Sequence, residues 1–369
     1  MKFLEAVLIL SGMIIGAGMF GIPFSFVKAG FILGTAELIL LAGLVTLLHL
    51  LYGEIVLHTG VSHRLPGYAR IYLGRRPAVI AFATSLFSII GTILVYMLLG
   101  SVFLNSVVSN FWTGSTDFFW ALMIMLSSAT IIIFSLRREA VINGVLSAVL
   151  IGFILFLVAN LLPNINTNNL GSISLSNFFI PYGVLFFALA GGIAVPDVVV
   201  LLNRQRVKVR RAIIIGTILP AILYFLFALA VVGTVGDAVS EEAILGLKPF
   251  AGEAVIIMGS IIGFLAVYTS LVIVASNFRD LLVFDFSFSK PVAWGVASFV
   301  PFLFYLSGLH NFIVIIGAVG AIAGGIEAAL IISVYHKIRR ASSAFSYTWK
   351  FSLLLLVLAG VGYEIYKLV

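Results

Sequence analysis

Charged residues are scarce in this chain of 369 residues. Asp, Glu, Lys and Arg together make up 9% of the sequence, whereas hydrophobic residues make up 62%. A soluble globular domain has about 25% charged residues, so this chain has too few to cover a surface that faces water. Its apolar runs recur along the whole length, and most reach about 20 residues, enough to cross the hydrocarbon of a bilayer. The composition predicts an all-α polytopic membrane protein.

Cysteine is absent, and so are the common hydrolase motifs. Without cysteine the chain has no thiol chemistry and no Cys-ligated metal, and its redox compartment stays undetermined. Neither H-E-x-x-H nor G-x-S-x-G occurs, so an intramembrane enzyme is not predicted. The net charge of +7 is spread over short loops rather than gathered on one face, which argues against nucleic acid as a partner.

Eleven apolar segments have the length of membrane-spanning helices, and we number them spans 1 to 11 in chain order. Their predicted bounds are about 4–27, 31–57, 78–108, 117–136, 139–162, 177–202, 212–236, 252–277, 291–308, 310–336 and 348–367. The loops between them are too short to form a soluble domain. Residues 1–369 are therefore predicted to form one transmembrane domain.

The basic residues indicate which side of the membrane each loop occupies. The N-terminus and the loops after even-numbered spans hold 18 of the 21 Lys and Arg residues, and the other side holds Lys28, Lys248 and Lys367. The positive-inside rule then predicts a cytoplasmic N-terminus, on the side called inner below, and an extracytoplasmic C-terminus. Since no targeting segment is recognised, we expect a prokaryotic plasma (inner) membrane. The basic run at 203–211 is expected to lie near anionic lipid headgroups.

Span 1 contains a glycine-rich segment, G-M-I-I-G-A-G-M-F-G-I-P, at residues 12–23. Its G-x-G-x-x-G would suit a dinucleotide site, but that site needs a preceding strand and a following helix in an alternating βαβ context, which this sequence does not provide. Gly12 and Gly16 would suit a helix-dimer face, which leaves the later glycines and Pro23 unexplained. A helix interrupted in the middle of the membrane is the remaining interpretation.

An interrupted helix uses all of these residues. Gly16, Gly18 and Gly21 weaken the helix at its centre, and Pro23 removes a backbone donor near the start of the outer half. Non-helical backbone is tolerated at membrane depth only where it lines a cavity or is buried in protein. The freed amides of the outer half-helix would form an anion site suited to a substrate carboxylate.

A second interruption is predicted in span 6, as expected for a transporter built from inverted repeats. Residues 186–199 read F-F-A-L-A-G-G-I-A-V-P-D-V-V, with Gly191 and Gly192 followed by Pro196. Gly18 and Gly191 both lie five residues before a proline. Spans 1 and 6 are therefore predicted to be corresponding members of a five-plus-five repeat.

The motif G-M-I-I-G-A-G-M-F-G-I-P-F resembles the first-span signature of the amino acid–polyamine–organocation superfamily, which has the LeuT fold. The eleven spans and A-L-A-G-G-I-A-V-P-D-V resemble its amino acid/auxin permease and aromatic amino acid permease branches. The resemblance implies an inverted repeat of about 1–162 and 177–337, discontinuous spans 1 and 6, and an extra helix at about 348–367. It also implies secondary active transport by a chain that we expect to be a monomer.

Span 8 contains A-V-Y-T-S, which places Ala266, Thr269 and Ser270 on one helix face. Neutral carbonyl and hydroxyl oxygens of this kind suit a weakly bound monovalent cation. In sodium-coupled members of the fold, this pattern pairs with two carbonyls of span 1, and the resemblance assigns them to Gly12 and Ile15. The alternative is that both hydroxyls bond to their own helix. With the matching break in span 1, sodium is the favoured coupling ion.

Coupling to a proton would instead need a titratable group that faces the cavity. Asp197 and Glu327 are the candidates for a proton relay, although Asp197 could equally be a structural cap of the inner half-helix. Glu37 is predicted to be interfacial. His49 is expected to hydrogen-bond within the bundle, and Glu54 to pair with a cytoplasmic arginine.

The substrate is expected to bind where the two breaks meet. By similarity Phe187 looks like an aromatic gate, and Tyr96 is a candidate to hydrogen-bond the carboxylate, whereas the other residues are small and leave room for a side chain. No basic residue is predicted near this pocket, which argues against an acidic substrate. The predicted substrate-binding residues are Gly16, Ala17, Gly18, Tyr96, Phe187, Ala190, Gly191 and Gly192.

The sequence thus predicts symport of a neutral, hydrophobic or aromatic amino acid into the cell, with sodium favoured over a proton and no organic cofactor. Spans 1, 2, 6 and 7 would rock against spans 3, 4, 8 and 9. An amino-acid sensor without net transport is an open alternative, as is another small substrate such as a polyamine or a metal ion. By the resemblance, a metal transporter would require an acid and Asn in the first break, which G-A-G-M-F-G does not contain.

Overall fold

The computed structural model describes residues 2–60, 63–133 and 139–338, together with residues 360 and 362. These residues form helices joined by short turns and loops, and no strand occurs among them. The all-α membrane fold is therefore confirmed. In chain order the helices of the spans are Lys2–Ile14 with Ile22–Ala29 (span 1), Phe31–Thr59 (span 2), Arg75–Val108 (span 3), Asp117–Ile133 (span 4), Glu139–Leu161 (span 5), Ile180–Ala188 with Val195–Leu201 (span 6), Arg206–Val235 (span 7), Glu253–Phe286 (span 8), Lys290–Leu306 (span 9) and Phe312–Ala318 with Gly324–Ile338 (span 10).

Seven of the described helical segments are long and apolar enough to cross a membrane, and the bent pair of span 1 makes an eighth. Spans 4 and 9 are shorter apolar helices of 17 residues each. The predicted span 11 lies outside the described residues except for two glycines, so the total of eleven spans stays a prediction.

The predicted interruption of span 1 is confirmed. The α-helix ends at Ile14, a 3₁₀ turn covers Ala17–Gly21, and the outer half begins at Ile22 with its axis 50° away from the inner half. Pro23 lies in the first turn of the outer half, where a missing amide breaks no helical hydrogen bond. The local composition of glycine and proline therefore accounts for the position of the break.

Span 6 is interrupted in the corresponding way, as predicted. Its outer half ends at Ala188, a 3₁₀ turn covers Gly192–Ala194, and the inner half begins at Val195. Pro196 again lies in the first turn of the second half. The two broken spans thus share one construction, which is the arrangement expected of inverted repeats.

Span 10 has an interruption that the sequence analysis missed. Its helix widens to a π turn at Val319–Ala323, which packs on the outer half of span 6. A Cβ at Gly320 would clash with the backbone of Gly183 and would lie 2.9 Å from the Cβ of Phe187. The glycines at this crossing allow the backbones of spans 6 and 10 to touch.

The remaining spans form a frame around the broken ones. Spans 3 and 8 pack together along their length, and Gly263 of span 8 lies against the ring of Phe103 in span 3. Span 7 packs between the inner half of span 1 and span 2. A short helix, Leu65–Leu73, joins spans 2 and 3 and packs against the inner end of span 10. This arrangement places the two breaks in the interior of the bundle.

Candidate functional site

The breaks of spans 1 and 6 touch each other. A Cβ at Gly18 would lie 2.7 Å from the Cα of Ala188 and 3.0 Å from a ring carbon of Phe187. Real Cβ atoms do not approach neighbouring backbone so closely, so residue 18 must be glycine for the breaks to meet as they do. The structure therefore brings together Gly18 and Phe187, as predicted. It adds Ala188, which the sequence analysis did not select.

Span 7 links both breaks through one side chain. The hydroxyl of Tyr224 lies 2.7 Å from the carbonyl oxygen of Ile14 and 3.1 Å from that of Ala188. These carbonyls end the first half of span 1 and the first half of span 6, where helical carbonyls lack partners within their own helix. Sequence reasoning missed Tyr224. A fully buried tyrosine in the middle of an apolar span needs a partner for its hydroxyl, and that requirement was the available signal.

Tyr96 lies beside the break of span 1. A Cβ at Gly16 would be 3.7 Å from the hydroxyl oxygen of Tyr96, which reaches this point from span 3. Ala17, next in the chain, is buried. The structure therefore places Tyr96 where the sequence analysis expected it, while hydrogen bonding to a substrate carboxylate stays a prediction.

The outer side of the breaks is closed by packing. Phe20 contacts Phe103 edge to face, with ring centres 5.1 Å apart, and both rings are buried. A Cβ at Gly21 would lie 2.6 Å from the side chain of Ile316 in span 10. Phe187 is half-buried between Gly18 and the π turn of span 10. These contacts pack the described outer halves of spans 1 and 6 closely against spans 3 and 10.

The inner side of the breaks borders open space. A Cβ at Gly12 would meet no atom within 4 Å, Ala190 is exposed, and Ile193 is 55% exposed. Gly192 is half-exposed, whereas a Cβ at Gly191 would lie 2.5 Å from the side chain of Ile14. Gly191 therefore serves the packing of spans 1 and 6, and Ala190 and Gly192 border the open side.

The hydroxyls of span 8 bond to their own helix. The Thr269 hydroxyl donates to the carbonyls of Leu265 at 3.0 Å and Ala266 at 3.2 Å, and the Ser270 hydroxyl donates to Ala266 at 2.9 Å. This is the alternative interpretation of A-V-Y-T-S. Span 8 packs on spans 3, 4, 5 and 9, whereas the inner half of span 1, with Gly12, packs chiefly on span 7 and the inner half of span 6. A sodium site of Gly12, Ile15, Ala266, Thr269 and Ser270 stays a prediction.

The two candidates for a proton relay have different surroundings. Asp197 accepts a hydrogen bond from Arg64 at 3.2 Å, and both side chains are more than half exposed. Arg64 also donates to the carbonyl of Ile193, so the loop between spans 2 and 3 is tied to the break of span 6. Glu327 is half-buried in the inner half of span 10, which packs on span 2. Asp197 therefore lies at the inner surface, and Glu327 lies within the bundle.

Two of the remaining polar residues in span 2 are placed as expected. The Nδ1 atom of His49 lies 3.0 Å from the Thr217 hydroxyl, and Glu54 accepts two hydrogen bonds from Arg206, at 2.8 and 2.7 Å. Glu37 is buried within the protein, with 7% of its surface exposed, and its interfacial depth in the membrane stays a prediction. Neither of its carboxyl oxygens has a hydrogen-bond partner in the described part of the chain. The helix face that carries Glu37 therefore turns toward the interior of the bundle.

Two cavities lie away from the breaks. One of about 440 Å³ opens at the inner side and is lined by Glu54, Arg204 and Arg206 among others. The other, of about 220 Å³, lies on the outer side and is lined by Asp117, Glu241 and other residues. Neither is lined by a residue of either break. The contact geometry at Gly18 and Tyr224 is therefore the better guide to the functional site.

Comparison with known proteins gives both a family and a fold. The pattern of the Tryptophan/tyrosine permease family matches residues 1–366. Among curated proteins no match was found. Mhp1, a nucleobase-cation-symport-1 family transporter solved in a closed conformation with bromovinylhydantoin, is 12% identical, with a TM-score of 0.64 over 98% of this chain and 92% of its own.

Two further solved structures are similar over nearly the whole chain. MhsT in complex with L-phenylalanine is 15% identical, with a TM-score of 0.61 over 98% of both chains. A manganese transporter from Eremococcus coleocola is 11% identical, with a TM-score of 0.63 over 99% of this chain and 87% of its own. At such low identity these matches establish the fold alone. They confirm the predicted LeuT-type architecture.

Proposed function

This chain belongs to the tryptophan/tyrosine permease family, and from that premise we propose that it carries a neutral aromatic amino acid into the cell by cation-coupled symport. The observation that carries the proposal is the meeting of two broken helices at Gly18 and Ala188 in the interior of the bundle. Broken helices expose backbone amides and carbonyls at membrane depth, and such groups bind zwitterions and cations in transporters of this construction.

The ends of the half-helices match the two charges of an amino acid. The outer half of span 1 begins at the break, at Ile22, and its amide end favours a carboxylate. The carbonyl ends at Ile14 and Ala188 favour an ammonium group. Tyr96, whose hydroxyl lies beside Gly16, would donate a hydrogen bond to the carboxylate.

The side-chain pocket is proposed to lie between these backbone groups. Its residues are Gly16, Ala17, Gly18, Tyr96, Phe187, Ala190 and Gly192, and Gly191 contributes through the close packing of spans 1 and 6. Phe187 would close the pocket on the outer side, where it already packs between Gly18 and Gly320. An apolar aromatic wall suits an aromatic side chain, in line with the family description and with the phenylalanine bound to MhsT.

Sodium is the first candidate for the coupling ion. Ala266, Thr269 and Ser270 share one face of span 8, and Mhp1 is described as a cation symporter. When span 1 approaches span 8, carbonyls of Gly12 and Ile15 would complete the site, and the two hydroxyls would rotate from their own helix to the ion. A proton carried by Asp197 or Glu327 is the alternative.

Alternating access follows from the asymmetry of the site. The described breaks are packed on the outer side and border open space near Gly12, Ala190 and Ile193 on the other, which supports a state that opens toward the cytoplasm in the proposed orientation. Rocking of spans 1, 2, 6 and 7 against the other spans would reverse it. Cation and substrate would both favour the occluded state, and that shared preference constitutes the coupling.

Uptake into proteoliposomes tests the proposal. Labelled tryptophan, tyrosine, phenylalanine, leucine, alanine and lysine would each be offered under a sodium gradient, a proton gradient and no gradient, with a Thr269→Ala/Ser270→Ala double variant alongside. We expect sodium-driven uptake of the aromatic amino acids that the double variant lacks. Proton-driven uptake that survives in the variant would indicate that a proton is the coupling ion and that Asp197 or Glu327 carries it. Binding without accumulation under any gradient would favour a sensor, and no binding would overturn the amino-acid assignment.

A further inference from the structure

The hydroxyl of Tyr224 faces two acceptors with a single hydrogen. The carbonyl oxygen of Ile14 is 2.7 Å away and that of Ala188 is 3.1 Å away. A phenol donates one hydrogen bond, so the two carbonyls share it unequally, with the shorter contact favoured. Tyr224 is fully buried, so water cannot supply the missing donor from the side of span 7. The carbonyl of Ala188 is the less well satisfied of the two.

This junction lies at the centre of the two breaks. Ala188 is the residue that Gly18 touches, and Ile14 is the last helical residue before the break of span 1. Both carbonyls end half-helices, whose partial negative charge attracts a cation. Two carbonyl oxygens and the phenol oxygen thus meet at this junction with only one hydrogen among them. The junction lacks a second hydrogen-bond donor.

We propose that Tyr224 is a positioning residue that holds the carbonyls of Ile14 and Ala188 for the ammonium group of the substrate. In the empty site its hydroxyl bridges both carbonyls. When the substrate binds, the ammonium donates to Ala188 and the hydroxyl donates to Ile14 alone. This inference rests on the proposed function, since it assigns a role within the same substrate site.

The arrangement links binding to the positions of both broken spans. Tyr224 belongs to span 7, which also contacts the inner half of span 1. With the ammonium in place, each carbonyl has its own donor, and the ends of spans 1 and 6 are held together more firmly than in the empty site. A ligand without an ammonium group cannot provide the second donor and gains nothing from Tyr224.

The test combines a deletion in the protein with a deletion in the ligand. Binding of tryptophan and of indole-3-propionate, which lacks the ammonium group, would be measured by calorimetry on the full chain in detergent. In Tyr224→Phe we expect tryptophan to bind about 10-fold more weakly, because the carbonyl of Ala188 is no longer held in place for its charge-assisted hydrogen bond to the ammonium group, and indole-3-propionate to change less than about 2-fold. Equal weakening of both ligands would assign Tyr224 a structural role only and overturn the proposal, as would unchanged binding of tryptophan.

A matched control separates this effect from the loss of any tyrosine hydroxyl. Tyr268 donates a hydrogen bond at 2.8 Å to Ser127, which ties span 8 to span 4 away from the breaks. Tyr268→Phe should leave the ratio of the two affinities unchanged, and a similar change in that variant would contradict the inference. If wild-type protein binds neither ligand, the proposed function fails rather than the role of Tyr224.

A second variant keeps the hydroxyl in case Tyr224→Phe does not fold. Replacing Tyr224 by 3,5-difluorotyrosine retains the ring and makes the hydroxyl a stronger donor. The affinity for tryptophan should then change while that for indole-3-propionate does not. Parallel changes for both ligands would again refute the positioning role.

Discussion

The hydroxyl of Ser11 donates a hydrogen bond to the carbonyl oxygen of Gly216, 3.1 Å away across the interface of spans 1 and 7. Pro220 lies four residues after Gly216 within the helix of span 7. A proline has no amide hydrogen, so the carbonyl four residues earlier loses its helical partner. Ser11 supplies the missing donor from the neighbouring span. One proline in span 7 therefore creates the acceptor that holds the inner half of span 1.

The first prediction concerns this pair. Ser11→Ala should lower the free energy of unfolding by about 1 kcal/mol, because it leaves the buried carbonyl of Gly216 without a partner. In the background of Pro220→Ala, where residue 220 regains its amide, the same substitution should cost clearly less. Thermal unfolding in detergent of the two single variants and the double variant would show the difference. Strictly additive losses would refute the link between Pro220 and Ser11.

The second prediction concerns the contact between the breaks. Gly18→Ala should strongly reduce uptake, because its Cβ would lie 2.7 Å from the Cα of Ala188 and would force spans 1 and 6 apart. Gly43→Ala is the control, since a Cβ at Gly43 meets no atom within 4 Å and alanine is the better helix former. Initial rates of uptake by matched amounts of protein would be compared. Full activity of Gly18→Ala would mean that the close contact is dispensable.

The third prediction separates two bonds made by Arg64. Its ion pair with Asp197 joins side chains that are 54% and 55% exposed, and exposed pairs contribute about 0–1 kcal/mol. Its hydrogen bond to the carbonyl of Ile193 holds the break of span 6 directly. Arg64→Gln should therefore alter the transport rate more than Asp197→Asn does. If Asp197→Asn instead alters the transport rate more than Arg64→Gln does, and high salt abolishes that effect, then the ion pair rather than the hydrogen bond controls the rate.

The fourth prediction concerns the buried carboxyl of Glu37. Neither of its oxygens has a partner among the described residues, and burying a polar group in that way costs about 1–3 kcal/mol. Glu37→Met, which keeps the length and removes the polar atoms, should raise the melting temperature. Glu54→Met should lower it, because Glu54 is bonded twice to Arg206. A lower melting temperature for Glu37→Met would indicate that the carboxyl has a stabilising partner.

The fifth prediction concerns pH and the outer loop. Burial, and then the neighbouring Glu242, raise the pKa of Glu241, and the hydrogen bond from Asn311 offsets this only in part. The folded protein therefore holds this proton more tightly than the unfolded chain. Stability should fall as the pH rises from the ordinary glutamate range through the raised pKa. Glu241→Gln should make the melting temperature less dependent on pH in that range.

Glu253→Gln is the control for the pH experiment. Glu253 is exposed and pairs with Lys248 at 3.3 Å on the same outer side. Its substitution should leave the pH dependence of the melting temperature in that range unchanged. If Glu241→Gln and Glu253→Gln behave alike, the burial of Glu241 is not the cause of the pH effect.

Sequence reasoning reached the fold because the features that specify it are local. Long apolar runs require helices in a bilayer, where every backbone amide and carbonyl must be satisfied within the segment. Glycines and prolines weaken the helix where they stand, so the breaks near Gly18 and Gly191 could be placed from sequence. The Tryptophan/tyrosine permease pattern over residues 1–366 and the similar solved structures agree with that architecture.

The contacts that build the site depended on residues far apart in the chain. Tyr224 lies 210 positions from Ile14, and no local pattern indicates that its hydroxyl meets that carbonyl. The inward turn of Glu37 and the π turn of span 10 were missed for the same reason. An apolar sequence in a membrane shows little amphipathic periodicity, because lipid and protein interior are equally apolar. The sequence alone therefore determined where the helices run and where spans 1 and 6 break, and only the tertiary structure decided which faces meet.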